Sequence, residues 1–369
     1  MDFDDLLYND NSLCDKSKLH SNIPFANEHT SSFVDIDGDC INDILILSEE
    51  EGKTRRLEIW RGIPQNNQIK YCLTSSSIYE LDKTLGLFSL ADVDRNGSLD
   101  IIFPILQSPP AIKVAYNKIP IHFEWTEDYC ATHIKNSNNL IPLLFDDFYS
   151  TLNPYTLQTF LLSNNTNEIF YEDNLIKPII RFGDIDMDSY ADFIVTIYNK
   201  ETLSRNVKIF YNHEKKFGNE NLGIREYSPE FSYENPLLNN AVYASFFDLD
   251  EDGKLDVIIT YKEDQNIFNT IGFFNTNIYD RYYLKSLFLK QRRVNFSNKI
   301  GASFRYICAD LNGERRMDLA TQATQLNQLM MNLPYAFIGV GRSNNYIENF
   351  CVINGNSANV IIFLLNFLA

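Results

Sequence analysis

Four segments of the chain repeat one pattern. They read FVDIDGDCINDILI from Phe33, LADVDRNGSLDIIF from Leu90, FGDIDMDSYADFIV from Phe182 and FFDLDEDGKLDVII from Phe246. Each contains Asp-x-Asp-x-Asp/Asn-x-x-x-Asp, entered by apolar residues and left through an apolar, β-branched run. The first aspartates are Asp35, Asp92, Asp184 and Asp248, at intervals of 57, 92 and 64 residues. A motif that returns between strand-like runs marks a repeat architecture, in which each unit buries its apolar face against the next.

Period-two patterning predicts four strands per repeat. In the first they are Ser31–Ile36, Asp43–Glu49, Arg55–Ile63 and Lys70–Ile78; in the fourth, Val242–Leu249, Asp256–Lys262, Asn269–Thr276 and Tyr282–Leu289. The second and third parse the same way. Four antiparallel strands per repeat of about 60 residues describe a propeller blade. The expected fold is all-β: a partial β-propeller with four clear blades. The 92-residue interval is too long for one blade, and its extra stretch LIPLLFDDFYSTLNPYTLQTFLLS is either a degenerate blade, at about 129–178, or a long insertion. A different texture begins near Arg281. There Asp310, Asn312, Glu314 and Asp318 imitate the repeated loop, with a hairpin turn as the alternative reading.

The loop chemistry points to calcium, which takes six to eight oxygen ligands in flexible geometry. Carboxylates at positions one, three, five and nine of a tight loop can converge on one ion, and a backbone carbonyl at position seven adds an oxygen. The candidate ligands are Asp35, Asp37, Asp39, Ile41 and Asp43 in the first loop, and Asp92, Asp94, Asn96, Ser98 and Asp100 in the second. In the third they are Asp184, Asp186, Asp188, Tyr190 and Asp192, and in the fourth Asp248, Asp250, Asp252, Lys254 and Asp256. Without a cation, carboxylates this close repel one another. A single acidic loop is usually a solvated turn; four at the same strand junction are not. The EF-hand alternative fails, because position twelve needs a bidentate Glu between two helices. Here it is Ile46, Phe103, Val195 and Ile259, each inside an expected strand.

Charge agrees with this reading. The net charge of −17 comes from 49 acidic and 32 basic residues, and 15 of the acidic ones are loop aspartates, which leaves 34 against 32. Lys and Arg do not cluster, so no nucleic-acid-binding face is expected. The six cysteines show no CxxC spacing, which argues against zinc. They form one or two disulfides or stay as buried thiols. Catalytic constellations are missing: there is no GxSxG, HExxH or phosphate-binding glycine loop. His20, His29, His122, His133 and His213 stand isolated, and Asp146 and Asp147, as strand neighbours, face opposite ways. The acidic N-terminus lacks the features of a signal peptide. The final NVIIFLLNFLA is about half the ~20 residues a membrane span needs and reads as a last core strand.

The loops resemble the FG-GAP repeats of integrin α-subunit propellers. The segments NKIGASFRYICADLNG, NLPYAFIGVGRSNNYIENF and NVIIF, with DIDMDSYADFIV and ASFFDLDEDGKLDVII, resemble the T-cell immunomodulatory protein family over most of residues 26–365. That resemblance implies propeller blades over 26–280 and a C2-type β-sandwich over 281–369. Residues 1–25 would then be the end of a further blade. It also counts against calcium at Asp310. Family members carry a signal peptide, more blades and a single transmembrane helix, so the expectation is a truncated or reduced member. The implied function is a non-enzymatic, calcium-binding ectodomain of a single-pass membrane protein, acting in cell-surface adhesion through a protein partner. A carbohydrate-binding propeller and a glycan-processing enzyme are the alternatives. Sequons at Asn164 and Asn295 suit an extracellular location, while a third, at Asn96, lies inside a metal loop.

Overall fold

The computed structural model describes residues 30–49, 55–65, 68–117, 157–172, 177–217, 220–232, 240–264, 267–278, 281–291, 296–298, 300–311, 313, 315–322, 333–353 and 360–363, with Cys14, Phe25 and Ala26. The described chain is all-β and forms several separate sheets.

Each aspartate motif joins two paired strands of its own antiparallel sheet. The first sheet holds β1 (Ser31–Val34), β2 (Asp43–Glu49), β3 (Arg55–Gln65), β4 (Gln68–Cys72) and β5 (Ile78–Leu81), with β4 and β5 sharing the long β3. The second runs in the order β6 (Ser89–Ala91), β7 (Asp100–Ile105), β8 (Ala111–Ala115), β9 (Leu157–Leu161). In the third, β10 (Glu168–Phe170) and β11 (Arg181–Gly183) both pair with β12 (Asp192–Asn199), followed by β13 (Ser204–Phe217) and β14 (Glu220–Ser232). The fourth is β15 (Ala241–Phe247), β16 (Asp256–Asp264) and β17 (Ile267–Phe273).

One expectation is corrected here, and the long interval is described only in part. Leu157–Leu161 belongs to no sheet of its own: it pairs with β8 as the outer strand of the second sheet. Asp146 and Asp147 lie outside the described residues. The correction concerns Tyr282–Leu289, expected as the outer strand of the fourth repeat. Its strand β18 (Tyr282–Ser286) pairs instead with β23 (Ala336–Gly341). Tyr283 stacks on Phe337, with ring centroids 5.5 Å apart.

The C-terminal stretch continues with β19 (Leu289–Gln291), β20 (Phe296–Asn298), β21 (Ala302–Asp310), β22 (Arg315–Gln322), β24 (Ser343–Ile353) and β25 (Val360–Phe363). A four-stranded sheet in the order β22-β21-β24-β25 packs against the β18–β23 pair through Phe304, Tyr306, Phe350, Leu284 and Ile338. The apolar run near the C-terminus thus supplies an edge strand over Val360–Phe363.

The core is laid down between successive sheets. One cluster joins Val34 and Leu45 of the first sheet to Leu99 and Phe103 of the second. The next joins Ile102 and Val114 to Phe193 and Phe210, and a third joins Ile194 and Ile209 to Phe246 and Val257. Strands β7 and β12 are buried on both faces, which explains their unbroken apolar runs. The outer strand β17 is mostly exposed along its length. Residues of β1, β6, β11 and β15 line a common cavity of about 180 Å³, walled on the remaining side by Leu319 and Tyr335 of the C-terminal stretch.

Candidate metal centres

All four loops fold alike. Positions four and six take left-handed backbone in each: Gly38 and Cys40, Arg95 and Gly97, Met187 and Ser189, Glu251 and Gly253. Most residues avoid this region, so five non-glycine side chains held there signal a turn fixed by its hydrogen bonds. Those bonds come from the aspartates. The position-nine carboxylate accepts two backbone N–H groups, one from position two and one from in or just beyond the third strand. For Asp100 these are Val93 N at 2.8 Å and Asn117 N at 2.8 Å; for Asp192, Ile185 N at 3.1 Å and Asn212 N at 2.8 Å. Asp43 takes Ile36 N and Gly62 N, and Asp256 takes Leu249 N and Asn275 N, in the same way. Position five caps position seven: Asp39, Asn96, Asp188 and Asp252 accept from the N–H of Ile41, Ser98, Tyr190 and Lys254.

The wiring extends to the neighbouring sheet. Asn117 donates its side-chain amide to Ile36 O at 2.9 Å, Asn212 to Val93 O at 3.0 Å and Asn275 to Ile185 O at 3.1 Å. Each asparagine lies in or just beyond the third strand of its repeat and holds position two of the preceding loop. A signal for it was present in the sequence, as an aromatic residue and Asn recur together in Tyr116-Asn117, Tyr211-Asn212 and Phe274-Asn275. The first repeat has Arg61-Gly62 there instead.

Carboxylate oxygens converge within 4.8 Å of one another in all four loops. Positions one, three and nine meet in three of them: Asp92, Asp94 and Asp100; Asp184, Asp186 and Asp192; Asp248, Asp250 and Asp256. Asp188 and Asp252 stand outside these groups. In the first loop the group is Asp35, Asp37 and Asp39, with Asp43 outside it. Burial, followed by the charge of neighbouring aspartates, pushes the carboxyls of Asp39, Asp43, Asp92, Asp100, Asp184 and Asp192 well above the usual carboxylate range. Asp35 is pushed up to about 7 by burial, which Arg305 partly offsets. Asp248 Oδ1 is buried without a hydrogen-bond partner, in a residue 2 % exposed. Crowded, desolvated carboxylates with an unsatisfied oxygen are what a hard divalent cation would complete, so the residues fit calcium.

Side-chain cations also reach the loops. Arg61 Nε donates to Asp37 Oδ2 at 2.8 Å, and its Nη2 pairs with the same oxygen. The C-terminal stretch reaches the third and fourth loops: Arg281 pairs with Asp186 at 2.6 Å and Lys285 with Asp248 at 2.7 Å. Tyr335 Oη accepts from Asp248 N at 3.1 Å. At the second loop the polarity reverses: Arg95 donates to both oxygens of Asp318, at 2.6 and 2.9 Å. Asp318, read from sequence as the end of a loop mimic, thus faces the second loop; Asn312 and Glu314 lie outside the described residues. Glycines permit the closest approaches. A Cβ on Gly339 would run into Asp184 Oδ2 and the Met187 backbone, and one on Gly301 into the Asn42 side chain. Two disulfide positions accompany the first sheet: Cys14 is bonded to Cys72, and Cys40 is disulfide-bonded as well. Cys308 and Cys351 are buried free thiols.

Fold and site together define an all-β repeat protein with acidic loops at the strand junctions and a separate C-terminal β unit packed onto them. Its relatives are the T-cell immunomodulatory proteins, and the resemblance read from the sequence is borne out. The homologue from Plasmodium yoelii yoelii is 26 % identical over 363 residues, covering 89 % of this chain and 51 % of the relative. The human T-cell immunomodulatory protein is 24 % identical over 341 residues, covering 88 % and 51 %. Protein linkin of Caenorhabditis elegans is 24 % identical over 337 residues, covering 86 % and 50 %. A family model described as "ITFG1, C2 domain" matches residues 296–360. The chain spans about half the length of the curated relatives it matches. Among the described residues, no helix is long and apolar enough to cross a membrane.

Proposed function

We propose that this chain is a calcium-stabilised interaction module without enzymatic activity: FG-GAP-type propeller blades over 26–280, then a β-sandwich over 281–369. The observation that carries the calcium reading is the convergence of the carboxylates at positions one, three and nine in three of the four loops, on a turn with left-handed backbone at positions four and six. The common cavity lined by the strand that leads into each motif supports the propeller, since innermost strands of blades face a central axis. The two-layer packing of the C-terminal strands and the C2-domain match support the sandwich. The ligands would come from positions one, three and nine, where the oxygens already converge. Calcium would supply the positive charge that these buried carboxylates lack.

The module would act outside the cell, in the ectodomain of a single-pass membrane protein, by presenting loops of a rigid scaffold to a protein partner. Disulfides at Cys14–Cys72 and Cys40 suit an oxidising compartment, and weak calcium sites suit millimolar calcium. The relatives' name, T-cell immunomodulatory protein, supports a role in contact between cells. Chelation tests the metal directly. At millimolar calcium each weak site adds about 0.5–1.5 kcal/mol by linkage, so excess chelator is expected to lower Tm by several degrees. An unchanged Tm would overturn the structural role of calcium.

A further inference from the structure

We infer that Arg61 is the built-in cation of the first aspartate loop, so that this loop takes no calcium while the other three do. The inference rests on the calcium reading of those three loops. Strand register puts Arg61 in a definite place. The residue after position nine pairs with Trp60 in the first sheet, Ala115 in the second, Phe210 in the third and Phe273 in the fourth. The next residue along is Arg61 in the first sheet and Tyr116, Tyr211 and Phe274 in the others. Where three repeats put an aromatic ring, the first puts a guanidinium.

That guanidinium turns into the loop. Two of its nitrogens share Asp37 Oδ2, and Asp37 Oδ1 accepts from Asp39 N at 3.1 Å, so both oxygens of position three are engaged. The Arg61 and Asp37 side chains are 4 % and 1 % exposed. An arginine cannot shed its proton, and one buried this deeply has no route to water without opening the sheet. Arg305 adds a second guanidinium charge near Asp35. A divalent ion would enter against both. The oxygens also group differently, with position five replacing position nine. Arg281 and Lys285 touch the third and fourth loops too, yet each side chain is 31 % exposed and can swing into solvent when an ion arrives.

Native mass spectrometry of the full chain in calcium counts the ions. Three are expected in the wild type and three in Asp37→Asn, whereas Asp94→Asn and Asp250→Asn each lose one. Arg61→Gln is expected to take up a fourth. If Arg61→Gln does not fold, the Asp37→Asn count decides. Four ions in the wild type, or a loss on Asp37→Asn, would overturn the inference and leave the calcium reading of the other loops intact. No bound ion in the wild type would overturn that reading, and this inference with it.

Discussion

Asp35 and Asp248 open the first and fourth loops, and each is 2 % exposed. Around them the two loops diverge. Asp35 uses both carboxylate oxygens on its own turn, accepting from Gly38 N at 2.7 Å and Cys40 N at 3.0 Å. Asp248 has one oxygen on Lys285 and the other with no partner. Asp37 is buried against Arg61, while Asp250 and Asp252 lie open to solvent. The same four positions thus make one closed turn with a buried guanidinium against it and one open turn whose cation is half-exposed. The motif sets the backbone; partners far away in the chain set the charge balance.

Removing Arg61 should break this comparison hardest. Taking one partner from a buried ion pair leaves an uncompensated charge and costs about 3–5 kcal/mol. Arg61→Ala is therefore expected to shift urea unfolding by that amount in excess chelator, where no ion can replace the guanidinium. A loss under about 1 kcal/mol would mean that the first loop is as open as the fourth.

Next in size are the asparagines that tie each loop to the following sheet. Asn212 is 1 % exposed, and its amide reaches Val93 O across the sheet boundary. Asn212→Ala leaves a buried carbonyl without that donor and should cost about 1–3 kcal/mol. Hydrogen exchange should quicken at Ile101–Ile102 and Phe193–Ile194, on the two faces that meet there. Exchange confined to the third sheet would show that the tie is local. Asn117 and Asn275 occupy the same position and should behave alike.

Which of these features the sequence made legible follows from their range along the chain. The four loops, their place at strand junctions and the aspartates at positions one, three, five and nine are contiguous and could be read directly. Glycine is the residue that left-handed backbone favours, and Gly97 and Gly253 stand at position six, but Cys40 and Ser189 take the same backbone there. Arg61 escaped notice because its partner Asp37 lies 24 residues away, and a lone arginine in an apolar strand reads as an edge charge. Arg281 and Lys285 were hidden for the same reason, at 95 and 37 residues from their loops. The misplaced strand at Tyr282–Leu289 has a related cause. Its alternation fits any sheet, and only packing of Leu284 among Phe304 and Ile338 assigns it to the C-terminal unit.

The smallest expected effect on stability bears on the open side of the comparison. Lys285 is 31 % exposed, stacks 4.4 Å from the Tyr335 ring and pairs with Asp248 at 2.7 Å. A partly solvated pair of this kind contributes about 0–1 kcal/mol, so Lys285→Met should barely move Tm in chelator. Calcium affinity should respond more. The ammonium and an incoming ion compete for the same carboxylate, and an ammonium about 4 Å from a divalent ion repels it by ~2 kcal/mol in water-like surroundings. Removing the ammonium should therefore tighten calcium at the fourth loop by about thirtyfold. A chain that also carries Asp94→Asn and Asp186→Asn isolates that loop, and calorimetric titration then reads its affinity. Unchanged or weaker binding in Lys285→Met would show that the lysine and the ion use different lone pairs of Asp248. The fourth loop would then be joined to the C-terminal unit whether or not calcium is bound.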